Sequence, residues 1–119
     1  MAKEQSLEGE VRVNVSTILD VVAQSVSEVT GVLNKFEDLV KQSKVSVKGE
    51  ILNPQQKVLL SENEVEINLS LTLDPNVSFV QVAQQVQSVV LTNLQAKLGI
   101  SPRKVNVEVA KVDWNLREK

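Results

Sequence analysis

Residues 64–74 (EVEINLSLTLD) contain the strictest pattern in this chain, an alternation of apolar and polar side chains. The apolar positions are Val65, Ile67, Leu69, Leu71 and Leu73. Because successive side chains of a strand point to opposite faces, this period of two predicts a long strand with one dry and one wet face. Such a strand is stable only within a sheet whose dry face is covered, so the rest of the chain must supply other strands and a covering layer.

Other segments with the same period predict the remaining strands. Residues 9–15 (GEVRVNV) and 103–109 (RKVNVEV) place valine at every second position, and after Val109 the apolar positions shift to Val112 and Trp114, which indicates a bulge or the end of the strand. Residues 44–52 (KVSVKGEIL) alternate briefly, and Asn53-Pro54 predicts a turn before QKVLL. This middle region forms either two short strands or one strand with an irregular start, since a proline is excluded from a central ladder position.

Three segments have helical periodicity instead. Residues 16–30 carry apolar side chains three and four positions apart, with Ser16 or Asn14 as the N-cap and Gly31 as the residue that ends the helix. Residues 32–42 (VLNKFEDLVKQ) predict a short amphipathic helix. A second long helix is predicted from a capping box at Ser78 and Gln81 to Gly99. Its predicted buried stripe is Val82, Ala83, Val86, Val89, Val90, Leu94 and Leu98.

The predicted order is strand, helix, short helix, one or two strands, long strand, helix and strand. This order predicts an α+β fold in which helices pack on one face of a mostly antiparallel sheet, and it favours the split βαβ arrangement. A chain of 119 residues has the size of one domain. We expect that domain at residues 9–115, between a polar N-terminal tail at 1–8 and a C-terminal tail at 116–119.

The composition excludes several kinds of chemistry. The chain has no histidine, cysteine or tyrosine, so it lacks an imidazole base, a thiolate nucleophile and the usual zinc ligands. We predict that it is not an enzyme and needs no cofactor or metal. Its net charge of −2 does not favour nucleic acid or an anionic membrane. With no apolar run of membrane-spanning length and a polar N-terminus, we expect a cytoplasmic protein that does not insert into the membrane.

The sequence resembles the alkaline shock protein family, the small envelope stress response proteins of Gram-positive bacteria. The resemblance rests on GEVRV at 9–13, VTGV at 29–32, the glycine at position 99 after a second helix, and VNVEV at 105–109. It implies a structural or adaptor role without established catalytic residues, self-assembly, and attachment to the inner face of the cell membrane through a small partner protein. The chain departs from the family pattern in residues 34–56 and in the neutral surface of its second helix.

That neutral surface is the main candidate site. The run from 75 to 96 contains no charged residue, and the predicted outer face of its helix is uncharged but polar. The candidate interaction face comprises Gln81, Gln84, Gln85, Gln87, Ser88 and Gln95. Amide side chains form contacts without the desolvation cost of a buried charge, and the centres of interfaces are depleted in charges. This face is therefore either a contact surface for a second copy or a partner, or an ordinary solvated surface.

Two charged groups are weaker candidates. Glu62, Glu64 and Glu66 form a carboxylate cluster that we interpret as the solvated start of the long strand. Arg103, Lys104, Lys111 and Trp114 could form a strip that contacts phosphates and stacks bases, but the chain lacks the motifs of common RNA-binding modules. The leading hypothesis is an interaction protein of the envelope stress type, and the alternatives are a small-molecule-binding regulatory domain and an RNA-binding accessory factor.

Overall fold

The structure is a computed structural model that describes residues 9–116. The predicted N-terminal tail, 1–8, and residues 117–119 of the C-terminal tail predicted at 116–119 lie outside the described part of the chain, whereas Leu116 is described and is helical. Six strands and three α-helices follow one another in the described part, with a short 3₁₀ helix, Trp114–Leu116, at the end. The elements are β1 Arg12–Asn14, α1 Val15–Ser27, α2 Phe36–Gln42, β2 Lys44–Val47, β3 Glu50–Leu52, β4 Lys57–Leu59, β5 Val65–Leu73, α3 Phe79–Leu98 and β6 Lys104–Val112.

The main sheet has four strands in the order β3-β2-β5-β6. Strand β2 is antiparallel to both β3 and β5, whereas β5 and β6 are parallel and are joined by α3. The predicted α+β class with a mostly antiparallel sheet is therefore confirmed. The split βαβ arrangement was wrong, because β5 and β6 are direct neighbours with no strand between them.

Strand β5 supplies the centre of the core, as its alternation predicted. Its odd-numbered residues are all buried, and its even-numbered residues are partly exposed. Helices α1 and α3 pack against each other and place their apolar stripes in the same hydrophobic core. Leu39 of α2 enters that core as well and is fully buried.

The first strand is shorter than predicted and belongs to a different sheet. Strand β1 pairs with β4 in a separate two-stranded antiparallel ladder, with Val13 opposite Val58. The sequence pattern revealed the alternation of residues 9–15 but not the partner, because a half-buried strand has the same period in any sheet.

The middle region, for which two layouts were open, contains three short strands. Strands β2 and β3 form a hairpin whose two turn residues, Lys48 and Gly49, have φ angles of 53° and 84°. Positive φ at both positions is the requirement of the tight turn that matches the twist of a hairpin. After the turn at Asn53-Pro54, β4 leaves the main sheet to pair with β1.

Helix α1 begins after Asn14, one of the two predicted N-caps, but its first N–H groups are satisfied differently from the prediction. Asn14 occupies the N-cap position, but its side chain makes no capping hydrogen bond. The main-chain N–H groups of Val15 and Ser16 instead donate to the carbonyls of Gln56 and Pro54, over 2.9 and 3.1 Å. Carbonyls from a distant turn thus satisfy donors that a local side chain was expected to satisfy.

The helix ends at Ser27, before the predicted stop at Gly31. Gly31 does have a φ of +100°, and it lies where the chain turns to run beside the end of β5. Its carbonyl accepts a hydrogen bond from the N–H of Asp74 over 2.9 Å. The glycine therefore positions the segment after α1 and does not cap the helix.

The predicted irregularity in the last strand is confirmed as a bulge. Leu71 pairs with Val109, but the next residue of β5, Thr72, pairs with Lys111, which leaves Ala110 as the extra residue.

Candidate interaction surface

Helix α3 displays the neutral surface, and local sequence signals define both of its ends. At its start, the Ser78 hydroxyl accepts a hydrogen bond from the N–H of Gln81 over 3.3 Å. At its end, Gly99 takes the left-handed conformation with a φ of 70°. Four residues form the fully buried stripe: Val82, Val86, Val90 and Leu94. Both caps and the centre of the stripe agree with the prediction.

All six residues of the predicted interaction face are exposed. The helical repeat nevertheless divides most of them between two sides of α3. Val80, Gln84, Gln87 and Leu91 recur at spacings of three and four on the side next to β6, and we call this set the β6 flank. Gln81, Gln85 and Ser88 lie on the side next to α1, and we call them the α1 flank.

Contacts of individual side chains establish these two directions. Nε2 of Gln87 donates to the main-chain carbonyl of Val105 in β6 over 3.1 Å. Gln85 and Ser88 instead line a groove of about 370 Å³ together with Ser25 and Glu28 of the α1 region. Gln95 lies between the flanks, near the end of the helix, and donates to the Ser101 hydroxyl over 3.2 Å.

The β6 flank combines amides with exposed apolar side chains. Val80 is 66% exposed and Leu91 is 38% exposed, on either side of Gln84 and Gln87 along the helix. Val109 of the neighbouring strand β6 is also exposed, at 37%. Apolar groups among neutral polar groups are a composition that favours contact with another protein surface.

Strand β6 forms one edge of the main sheet. No strand among residues 9–116 pairs with its outer side. Its core-facing residues Val105 and Val107 are only partly buried, whereas the corresponding residues of β5 are fully buried. An edge strand of this length offers main-chain groups that another strand can bind.

The wet face of the sheet is tied together by polar side chains. Nδ2 of Asn106 donates to Oδ1 of Asn68 over 2.9 Å, and Nδ2 of Asn68 donates to the Ser46 hydroxyl over 3.2 Å. The Ser70 hydroxyl donates to Oε1 of Glu108 over 3.3 Å. These bonds connect β2, β5 and β6 across a solvent-facing surface.

The carboxylate cluster surrounds an arginine. Arg103 lies 3.1 Å from Oε1 of Glu64 and 3.6 Å from Oε2 of Glu66. Oε2 of Glu62 accepts a hydrogen bond from the N–H of Glu64 over 3.0 Å. Across residues 9–116, acidic side chains form no group of three or more that could hold a metal ion. These contacts fit a structural role at the start of β5.

The predicted basic strip is divided by acidic residues. Lys104 pairs in register with Glu66, and Glu108 stands between Lys104 and Lys111 on β6. Arg103 is engaged with Glu64 and Glu66, and Trp114 is 58% exposed in the final 3₁₀ helix. Interleaved acids weaken the attraction for phosphates, so this arrangement weighs against nucleic-acid binding.

A cavity of about 430 Å³ lies between the start of α1, the end of α2 and strand β3. Leu19, Val40 and Leu52 supply apolar lining, and Ser43 also lines it. The Ser43 hydroxyl is buried and has no hydrogen-bond partner within residues 9–116. Sequence reasoning missed this site because nothing in the local pattern distinguishes Ser43 from an ordinary residue after a helix.

A model of a protein family with a cell envelope-related function matches residues 3–114. The chain belongs to the alkaline shock protein family. The match covers nearly the whole chain and confirms the resemblance read from its strands and glycines. Neither a curated protein nor a solved structure shows a significant match.

The family's function concerns the cell envelope, and the described part of this member contains no helix that is long and apolar enough to cross a membrane. The neutral surface, at which the chain departs from the family pattern, lies on α3. The uncharged run in the sequence indicated that surface, but no sequence pattern indicated that the edge of β6 beside it has no partner strand within residues 9–116.

Proposed function

We propose that this chain is a non-enzymatic structural or adaptor protein of the cell-envelope stress response, which acts through protein–protein contacts and self-association. Membership of a family with a cell envelope-related function supports the setting. The observation that carries the interaction role is the β6 flank, where exposed Val80 and Leu91 accompany Gln84 and Gln87 on a surface without charge.

The physical argument concerns desolvation. A lysine or glutamate at the centre of a contact must lose its hydration, whereas an amide can exchange its water for a hydrogen bond at a smaller cost. Leu91 and Val80 in turn gain free energy when they leave water, at roughly 25 cal/mol per Å² of apolar area. The β6 flank is thus suited to a contact surface that must also tolerate water.

A charge substitution tests this role. In Gln84→Glu together with Gln87→Glu, like charges enter the middle of the β6 flank, and we expect weaker self-association or partner binding because each charge must be desolvated or meets its symmetric mate. Molar mass is measured by light scattering over a wide concentration range, after circular dichroism has confirmed the fold.

The matched control is Gln81→Glu together with Gln85→Glu, which adds the same charge to the α1 flank of the same helix. The proposal predicts a larger effect of the β6-flank pair than of the control pair. Equal masses and equal partner binding in wild type and the β6-flank variant would mean that this flank is only a solvated surface.

For localisation, we propose that the protein is cytoplasmic and lies at the inner face of the cell membrane through a small membrane-anchored partner. The proposal includes no nucleic acid and no direct membrane insertion. Affinity purification from the native cell with membranes retained should recover such a partner, and the β6-flank variant should recover less of it than the α1-flank control. Recovery of nucleic acid that is lost steeply with salt would favour the RNA-binding alternative instead.

A second candidate, small-molecule binding, is favoured by the cavity at Ser43. Its volume of about 430 Å³ and its apolar lining are suited to a small ligand. A screen of small apolar alcohols and amides by thermal shift tests this candidate. A stabilising compound should lose its effect in Ile51→Trp, because Ile51 is an exposed residue of the cavity lining and a larger side chain there reduces the open space without a change in the core.

A further inference from the structure

We propose that two copies of this chain associate through strand β6, pairing antiparallel about Asn106 so that the two main sheets become one continuous sheet of eight strands. The inference rests on the self-association in the proposed function and adds the surface and the register. It starts from the outer edge of β6, with which no other strand of residues 9–116 pairs.

The sequence of the edge is complementary to itself. Residues 104–108 read Lys-Val-Asn-Val-Glu. Polar and apolar side chains alternate in the same order from either end, and the positive charge at one end corresponds to a negative charge at the other. In an antiparallel pair centred on Asn106, Lys104 faces Glu108 of the second copy, and Glu108 faces its Lys104. Opposite charges placed directly across two strands stabilise the pair, and the two-fold axis produces this contact twice.

In this register, the wet face of one sheet also continues into the wet face of the other, and the core side into the core side. Lys104, Asn106 and Glu108 pair with the wet-face residues Glu66, Asn68 and Ser70 of β5, so they lie on the wet face of their own sheet. Val105 and Val107 lie on the core side and are partly exposed. Pairing about Asn106 places each of these valines opposite the other valine of the second copy and removes both from water.

Other registers fail on physical grounds. A shift by one residue places wet-face side chains opposite core-side ones. A shift by two residues in either direction removes the contact between Lys104 and Glu108. The register about Asn106 places opposite charges across from each other and keeps wet-face side chains opposite wet-face side chains.

The ends of the pairing segment agree with the same register. Position 102 of one copy would face position 110 of the other. Pro102 has no N–H to donate, and Ala110 is the bulge residue of β6. The N–H of Arg103 is also unavailable, because it donates to the Val65 carbonyl of β5 over 2.7 Å. The ladder would therefore run from residue 104 to residue 108. Since Gln87 donates to the Val105 carbonyl, the β6 flank of α3 lies beside this seam.

A charge swap tests the register. In Lys104→Glu, and separately in Glu108→Lys, both symmetric contacts become repulsive, and we expect the dimer dissociation constant to rise roughly tenfold or more. The double variant Lys104→Glu with Glu108→Lys restores opposite charges and should return the constant to within about threefold of wild type. Sedimentation equilibrium measures these constants, and circular dichroism checks the fold.

A cysteine provides a second test that needs no change of charge. The chain contains no cysteine, so in Asn106→Cys a disulfide can form only between copies. Directly opposed residues of paired strands lie within the Cα distance that a disulfide spans, and mild oxidation should give a covalent dimer rapidly. The control Asn115→Cys, also exposed, should cross-link slowly.

The outcomes separate this inference from the proposed function. A wild-type protein that is monomeric at every concentration overturns both. Pairing through β6 is overturned if neither single variant weakens the wild-type oligomer. It is also overturned if both single variants weaken the oligomer and the double variant does not restore it. In both cases self-association through another surface remains. If the charge variants do not fold, the cysteine decides, because equal cross-linking of Asn106→Cys and Asn115→Cys overturns the register.

Discussion

Asn93 of α3 donates from Nδ2 to the hydroxyl of Ser25 in α1 over 2.7 Å, and this bond joins the two long helices of the fold. Ser25 is buried, and its hydroxyl also donates to the carbonyl of Val21 over 2.7 Å. A serine on the apolar side of α1 is therefore fully used, as donor within its own helix and as acceptor from the other.

The first prediction follows from this bond. Ser25→Ala removes the acceptor and leaves the Asn93 amide without it, so we expect a loss of about 1–2 kcal/mol in the free energy of unfolding. Urea titration measures the change. In Ser27→Ala, which removes an exposed hydroxyl that bonds within α1, the change should stay within about 0.5 kcal/mol.

A double-mutant cycle isolates the contact between the helices. If Ser25 and Asn93 interact as the distance indicates, the losses in Ser25→Ala and Asn93→Ala should differ from additivity by at least about 0.5 kcal/mol. Additive losses would mean that the two side chains contribute independently.

The second prediction concerns the core at β5. Leu69 is 4% exposed in the middle of the strand, and Leu69→Ala should cost about 2–5 kcal/mol because it removes buried atoms and leaves a cavity. Ser70→Ala, at the next position on the wet face, should change the free energy of unfolding much less. A loss below about 1 kcal/mol for Leu69→Ala in a denaturant titration would contradict the assignment of the faces.

The third prediction compares two glycines that both have positive φ. Gly31 has a φ of +100°, and a Cβ there would lie 3.1 Å from methyl groups of Val77 and Val82. Gly49 has a φ of +84°, and a Cβ there would meet nothing within 4 Å. Gly49→Ala should lower the free energy of unfolding by roughly 1–2 kcal/mol, because alanine is strained at positive φ. Gly31→Ala should lower it by the same amount plus about 1–3 kcal/mol, because its Cβ would also overpack the core.

Thermal and denaturant unfolding of the two variants checks this difference. Equal losses would mean that Val77 and Val82 move aside without cost and that backbone strain alone acts at Gly31.

The fourth prediction concerns the unpartnered hydroxyl of Ser43. A buried hydroxyl without a hydrogen bond destabilises the fold, so Ser43→Ala should raise the free energy of unfolding by about 1 kcal/mol. Ser46→Ala, which removes a buried hydroxyl that accepts from Asn68, should lower it instead. A loss of stability in Ser43→Ala would indicate that the hydroxyl is satisfied in solution by water in the cavity.

Sequence patterns predicted those features of the fold that depend on neighbours along the chain. The alternation in residues 64–74 predicted β5 and its dry face, Ser78 and Gly99 predicted both ends of α3, and the shift after Val109 predicted the bulge. In each case the cause is local, since side-chain direction, a capping hydroxyl and a left-handed glycine act within a few residues.

Only the tertiary structure decided which segments meet. It placed β1 against β4 and not in the main sheet, gave the first N–H groups of α1 to the carbonyls of Gln56 and Pro54, and set Gln87 and Gln85 on opposite sides of α3. Main-chain donors and acceptors are chemically alike at almost every residue, so a local pattern cannot select their partners. The sequence by itself determined which side of each segment is apolar, and the packing of the whole chain determined what that side and its edges contact.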